Sequence, residues 1–231
     1  MQTVDMSRCI EGIFVQELKN RFLCEVLING ISTVCYVPSS CHLGNFLVLK
    51  GKKVLLLPTV TPNARTRYSL FAIPFKRSYI LLNTSIANYA VLEGMGSRRL
   101  SFLGARKNVL PEHAIDGYKA DAFIEDTKTV VEIKSVLSVE ETAFFPTVYS
   151  ERAIHQLEKL QELMEAGYNA HFIIVALNPY IKRVRIVRAN GLWDVLKPCI
   201  DSGMKVSAFV CRLSAEGVKL GHNIPIEYQD N

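Results

Sequence analysis

The chain has 231 residues, 49% of them hydrophobic and 21% charged, with a formal net charge of +5. Such length and apolar content call for one large or two small domains with a substantial core and exclude long stretches of disorder. No run of about 18 apolar residues occurs, and the N-terminal MQTVDMSRC lacks a basic segment leading into an apolar one, so the expectation is a soluble, cytoplasmic protein with no membrane association.

Charge is unevenly distributed. Residues 1 to 110 carry 14 Lys and Arg against 5 Asp and Glu, whereas residues 111 to 231 carry 13 against 17. The basic half is the expected polyanion surface, because such a field draws in a phosphate backbone without regard to sequence. Scattered solubilising charge is the alternative. The six cysteines, Cys9, Cys24, Cys35, Cys41, Cys199 and Cys211, form no CxxC pair, and buried, reduced thiols are expected. Cys35, Cys41 and His42 make a weak metal cluster with no second pair of ligands.

From Arg8 to Leu81 the chain reads as short strands: CIEGIFVQEL, FLCEVLING, STVCYVP, KKVLLLPTV and a longer RYSLFAIPFKRSYILL. Asn29-Gly30 supplies a tight reversal between the second and third. Five or six strands with a short helix near Cys41 to Leu49 suit an OB-like barrel, a fold that often binds oligonucleotides on one face by combining basic and aromatic side chains. Arg65, Arg67 and Tyr68 are the candidates for that contact, supported by Lys50, Lys52 and Lys53; Tyr68 next to Leu70 and Phe71 also reads as core.

At Asn83-Thr84-Ser85 the period changes, with Thr84 or Ser85 placed to cap a helix carrying Ala87, Ala90, Val91 and Leu92 on one face. This predicts a boundary between a domain of residues 1 to 82 and one of residues 83 to 231. Glu93 ends that helix. Gly94-Met95-Gly96 follows a helix rather than a strand and is no dinucleotide fingerprint.

Two strands follow, Tyr118 to Ile124 and Thr129 to Ser135, joined by Glu125-Asp126-Thr127-Lys128. Pairing Ile124 with Thr129 sets Asp121 opposite Glu132, where like charges repel and call for a reason. Lys134 lies two residues on, on the same face, about 7 Å along the strand. A divalent cation, Mg2+ or Mn2+, held between the carboxylates is the simplest chemical account. Lys134 would then orient the attacking water or offset charge growing on a phosphate. A solvated hairpin is the alternative, disfavoured by the apolar Val130, Val131 and Ile133.

With Glu112 and Glu93 upstream as candidate outer carboxylates, Asp121 and Glu132-Ile133-Lys134 resemble the PD-(D/E)XK nuclease motif. The chain as a whole resembles the sugar fermentation stimulation protein A family (SfsA). The residues that carry the resemblance are Arg21-Phe22-Leu23-Cys24-Glu25-Val26, Thr66-Arg67-Tyr68-Ser69-Leu70, Leu82-Asn83-Thr84 with Ala87-Asn88, Asp121, Val131-Glu132-Ile133-Lys134-Ser135-Val136, Phe145-Pro146 and Glu151-Arg152-Ala153. The resemblance implies an α/β (α+β) protein, with an N-terminal OB-like β-barrel followed by a nuclease-like mixed-sheet α/β domain, and DNA as partner, bound independently of sequence.

Two stretches depart from the family pattern. Pro38-Ser39-Ser40-Cys41-His42-Leu43 lacks the family's glycine and arginine, and His155-Gln156 stands where Lys-His is usual. A helix from about Ser150 to Ala166 presents Ile154, Leu157, Leu160, Leu163 and Met164 inward and directs Arg152 and Gln156 toward the active face. His155 reads as a surface residue. HFIIVAL and VSAFVCRLS are buried strands with the helix ANGLWDVLKPCIDSGM between them, and Lys182 to Arg188 form a basic segment. The functional expectation is a DNA-binding protein with a metal-dependent phosphodiesterase site; a non-catalytic DNA-binding regulator of sugar metabolism with a vestigial site is the alternative.

Overall fold

A computed structural model describes residues 6–38, 42–45, 47–59, 63–147, 149–188 and 191–228. Its first half holds strands β1 (Ile10–Glu17), β2 (Leu23–Ile28), β3 (Ile31–Tyr36), β4 (Lys53–Pro58), β5 (Tyr68–Phe75) and β6 (Ser78–Leu81). They run in the order β3-β2-β1-β4-β5-β6, and the pairing of Tyr36 with Ser69 joins β3 to β5, closing the first five strands into an OB barrel. Asn29 and Gly30 both adopt positive φ, 51° and 79°, as a two-residue hairpin between β2 and β3 requires. The inward residues are those the alternation marked, among them Phe14, Cys24, Val26, Cys35, Val54, Leu56 and Leu70. Two expectations change here. The long strand ending at Leu82 is broken into a hairpin at Lys76, whose φ is 54°, and the short helix is one 3-10 turn, Leu43–Asn45.

Helix α1 (Ile86–Gly94) follows directly. Ser85 occupies its N-cap without a side-chain cap bond; the Asn83 carboxamide oxygen instead accepts from the Ser85 backbone N–H at 3.0 Å. Next come β7 (Val109–Pro111), β8 (Ala114–Ile115), β9 (Tyr118–Lys119), β10 (Ala122–Ile124), β11 (Thr129–Val136) and β12 (Thr142–Phe145). Helix α2 (Glu151–Glu165), β13 (Asn169–Ala176), β14 (Arg183–Ile186), α3 (Leu192–Asp201), β15 (Lys205–Ser214), β16 (Gly217–Ile224) and β17 (Ile226–Tyr228) complete the chain.

The main sheet, β16-β15-β13-β11-β10-β7, is parallel across β11, β13 and β15 and antiparallel at both edges. Along β11, Val130 and Val136 pack on the side of α2 and α3, while Val131 and Ile133 pack against α1. This period-2 division places Glu132 and Lys134 on the α2 side. The core on the α1 side also takes in Leu55, Phe71, Ala72 and Leu81, so the barrel and the main sheet share one apolar cluster. Strand β16 was not expected; it packs so closely on β15 that a Cβ on Gly221 would lie 2.6 Å from Val210. The basic segment Lys182 to Arg188 is largely β14, the centre of a small parallel sheet β12-β14-β17, where Arg183 and Arg185 are both engaged by Glu227. No helix among the described residues is long and apolar enough to cross a membrane.

Candidate functional site

Residues 109–124 form one hairpin, with Asp116 and Gly117 at its tip in positive φ (45° and 80°). It is interrupted in the middle: Glu112, at φ 49°, disrupts the ladder between the β7–β10 and β8–β9 pairs. The single strand expected from Tyr118 to Ile124 is therefore two short ones with Ala120 and Asp121 between them. The expected register survives. Ile124 pairs with Thr129, Phe123 with Val130 and Ala122 with Val131, so continuation of the ladder brings Asp121 beside Glu132.

Because β10 begins only at Ala122, the Ile133 backbone N–H has no strand partner on that side. The Asp121 Oδ2 takes its place, accepting at 2.7 Å, while Oδ1 accepts from the Asn88 side chain of α1 at 2.7 Å. Glu132 is only 1% exposed. One of its oxygens accepts from the Tyr118 hydroxyl and the other from the Lys134 ammonium. Lys134, 22% exposed, also donates to the Gln156 side chain of α2 at 2.6 Å. Burial raises the Glu132 pKa, the nearby Asp121 charge adds to the rise, and Lys134 opposes it. Burial, followed by the Glu132 and Asp121 charges, pushes the Tyr118 hydroxyl far up, so it is held as a donor.

Lys134, Asn88, Gln156 and Arg152 line a cavity of about 480 Å³, together with Thr84, Ser85, Phe145 and Pro146. Thus Asp121, Glu132, Lys134 and Arg152 are brought together. The other two carboxylates are not: Glu112 is 70% exposed and ion-paired with Lys119 at 2.6 Å on the outer hairpin, and Glu93 points away, into a separate depression with Arg99, Glu216 and Lys219. Among the described residues no group of three or more His, Cys, Asp or Glu side chains is placed to hold a metal. Of the Cys35, Cys41 and His42 candidate, only Cys35 and His42 fall among the described residues. Burial raises the Cys35 thiol to about 11, and Cys41 lies outside the described residues.

The barrel candidates divide. Arg65 and Arg67 are exposed at the β5 entrance, and Tyr68 is half-buried opposite Pro58. Lys52 and Lys53 lie at the other end of β4, about 17 Å away at 3.3 Å per residue, with Lys53 paired to Glu11 at 2.8 Å. They do not form one patch. His42 stands 3.9 Å from Glu17, whose carboxylate also accepts from the backbone N–H groups of Leu43 and Gly44. Residues 39–41, part of the segment departing from the family pattern, lie outside the described residues. His155 is exposed and pairs with Glu158 at 2.8 Å.

Two supporting residues, Tyr118 and Asn88, carried no assigned role in the sequence reading, whereas Gln156 was expected to reach the active face with Arg152. Tyr118 read as strand filler, though a tyrosine in an apolar strand needs a partner for its hydroxyl. Asn88 is a half-buried amide on a largely apolar helix, and Gln156 lies one turn beyond Arg152 on α2.

Comparison with known proteins covers nearly the whole chain. Residues 18–82 match the SfsA N-terminal OB domain, and residues 85–217 match the sugar fermentation stimulation protein RE domain. A sugar fermentation stimulation protein homolog from Pseudoalteromonas atlantica is 26% identical over 227 residues, covering 94% of this chain and 96% of that one. One from Caldanaerobacter subterraneus is 27% identical over 226 residues, with the same coverage. The structure described as Pyrococcus furiosus SfsA in complex with Ca2+ superposes with a TM-score of 0.83 at 20% identity, covering 98% of this chain and 99% of that one.

Proposed function

The chain belongs to the sugar fermentation stimulation protein family, and from that premise we propose that it binds DNA and hydrolyses phosphodiester bonds at Asp121, Glu132 and Lys134 with a divalent cation. The observation that carries this reading is a carboxylate buried to 1% exposure beside a second carboxylate, with a lysine between them and an open cavity. Burial and the neighbouring Asp121 charge both oppose ionisation of Glu132, and a bound cation would offset that cost.

The donor set fits Mg2+ or Mn2+. Both side chains offer hard oxygens, and hard cations are commonly held by one or two carboxylates, the remaining positions going to water and substrate phosphate. Each carboxylate has about four lone-pair sites, of which internal donors use two on Asp121 and two on Glu132, leaving capacity for a cation. The Pyrococcus furiosus relative is described with Ca2+, a cation of the same ligand preference. When bound, such an ion acts as a Lewis acid on a phosphoryl oxygen and lowers the pKa of a coordinated water.

The remaining work falls to the side chains. Asn88 and the Ile133 N–H fix the orientation of Asp121, Tyr118 fixes Glu132, and Gln156 holds the Lys134 ammonium toward the cavity. Lys134 stabilises charge that grows on the phosphate as the attacking water adds, and Arg152 at the cavity wall binds a phosphate oxygen. Exposed Arg65 and Arg67 bind the backbone elsewhere on the strand.

Mn2+-dependent cleavage of single-stranded, duplex or branched DNA is the test, and loss of that cleavage in Asp121→Asn is the expected result. A protein that cuts none of them with any metal sinks the catalytic claim. One observation favours the second reading, a DNA-binding regulator of sugar metabolism: all four carboxylate oxygens already have internal donors, as a purely structural cluster would require. Retained, salt-sensitive DNA binding without cleavage supports that reading.

A further inference from the structure

A second cavity, of about 550 Å³, opens on the barrel and shares Thr84 and Ser85 with the cavity that holds Lys134. The seam is fixed. The backbone N–H and hydroxyl of Thr84 both donate to the Pro38 carbonyl of the barrel, and Ser85 begins α1 one turn before Asn88, about 5 Å along the helix. The barrel side offers Tyr36, which is 41% exposed, with Leu57 and Pro58. Arg67 stands at its mouth, its carbonyl accepting from the Thr59 N–H at 2.8 Å, and neither Arg65 nor Arg67 is ion-paired among the described residues.

We infer that the two cavities form one groove for single-stranded DNA, with unpaired bases on the Tyr36 side and the scissile phosphate beside Lys134 and Arg152. Placing the scissile phosphate rests on the catalytic part of the function proposed above, and the groove with its strand preference rests only on the DNA-binding part. A duplex offers outward phosphates and hides its base faces, so a surface built for it carries cations along its length. Here the lining cations, Lys134 and Arg152, stand at one end, Arg67 adjoins the other through its backbone bond to Thr59, and the floor between them is made of ring, proline and aliphatic surface with hydroxyls and carboxamides. Such a floor suits bases whose π-faces are free to stack. Access points the same way. Lys134 lies inside the cavity at 22% exposure, and duplex DNA, with a persistence length of about 150 base pairs, does not bend into a recess of this size, whereas a single strand does.

Fluorescence anisotropy on the full chain tests this, with labelled thymidine oligonucleotides of 4 to 16 residues against a hairpin-closed duplex of equal charge. Each is measured in EDTA and again in Ca2+ at fixed salt. Single strands should bind at least about tenfold tighter than the duplex, with affinity rising with length until both cavities are spanned. Tyr36→Ala should lower single-strand affinity about tenfold and leave duplex affinity unchanged. Ser85→Trp, which obstructs the seam, should make long oligonucleotides no better than short ones. Ser85 and Tyr36 are both solvent-accessible, and unchanged melting temperatures would confirm that the variants fold. Duplex binding equal to or tighter than single-strand binding, or two variants indistinguishable from wild type, overturns the inference. Because affinity is read in EDTA, absence of cleavage alongside a clear single-strand preference counts against the catalytic proposal alone. Cleavage of blunt duplex without any preference counts against the groove alone.

Discussion

Two Glu–Lys pairs lie within about two dozen residues of each other, and they differ in almost everything except chemistry. Glu112 and Lys119 meet across the outer hairpin at 70% and 66% exposure; Glu132 and Lys134 meet on the main sheet at 1% and 22%. The exposed pair is screened by water and contributes little. For the buried one, desolvation pushes Glu132 toward its protonated form, and Tyr118, Lys134 and the neighbouring Asp121 all act on that balance. The same pairing that is dispensable on the hairpin therefore carries stability on the sheet and, under the proposed function, the charge that acts on the phosphate. Burial, not sequence spacing, makes the difference, and each prediction below sets a buried group against an exposed counterpart.

The largest effect belongs to Lys134. Replacing it by Met should lower DNA affinity only slightly and reduce Mn2+-dependent cleavage by at least roughly a hundredfold, on the order of 3 kcal/mol, as expected of a preorganised charge felt mainly in the transition state. The variant should also melt lower, because Glu132 keeps only Tyr118 as a donor. Lys119→Met should do neither. Equal cleavage by Lys134→Met and wild type would remove the lysine from the chemistry.

Histidines offer the same contrast. His171 is buried, 4.8 Å from the Phe102 ring and 3.0 Å from the Ser207 hydroxyl, and faces Lys205 on β15; burial and then that charge lower its pKa to about 4. The unfolded chain therefore binds a proton near pH 6.5 that the native state refuses until about pH 4, so this contribution is complete above pH 6.5 and is lost as pH falls toward 4. The loss amounts to about 3 kcal/mol at 1.36 kcal/mol per pH unit. Urea denaturation from pH 7 to pH 4 should show that slope in wild type and in His155→Gln, and a shallower one in His171→Asn.

A somewhat smaller shift is expected from cations. Mg2+ or Mn2+ at a hundredfold excess over its dissociation constant should stabilise the native protein by about 2.7 kcal/mol. The Asp121→Asn, Glu132→Gln double variant should show no such shift in differential scanning fluorimetry. Since the cation requires ionised Glu132 and burial raises that pKa, the stabilisation should weaken as pH falls. An equal shift in both proteins would place the cation elsewhere.

Much of this arrangement was legible in the sequence. The alternation in IEGIFVQE and LCEVLI defined β1 and β2 to within a residue or two, Asn29-Gly30 defined their neighbour's turn, and the Ile124–Thr129 pair fixed the register that brings Asp121 beside Glu132. The break before Asp121 was not legible, because it depends on Glu112 adopting a positive φ that a glutamate rarely takes. Asp116-Gly117, a strong hairpin signal, could have revealed the hairpin around that break. Strand β16 was hidden by Gly217 and Gly221, which look like loop residues until the close approach of Val210 accounts for the second. Glu93 and Glu112 were candidates from the resemblance to the nuclease motif and their place upstream of Asp121, and neither says which way a side chain points from a helix end or a distorted ladder.

Glu112 gives the smallest expected effect and so the sharpest control. Its backbone N–H donates to the Asp121 carbonyl at 3.0 Å, so it is as near to the site as a residue can be along the ladder without joining it. Its side chain turns outward to Lys119, whose hydrogen bond and charge hold its pKa below the ordinary value. Glu112→Gln should leave the melting temperature, the Mg2+-induced shift and Mn2+-dependent cleavage all at wild-type values, because the exposed pair it breaks is replaced by water. The reverse outcome would be informative. If Glu112→Gln removed the cation shift while Lys119→Met enhanced it, the exposed pair would be a latch that releases Glu112 into the site. The contrast between the two Glu–Lys pairs would then be one of conformational state rather than of fixed burial.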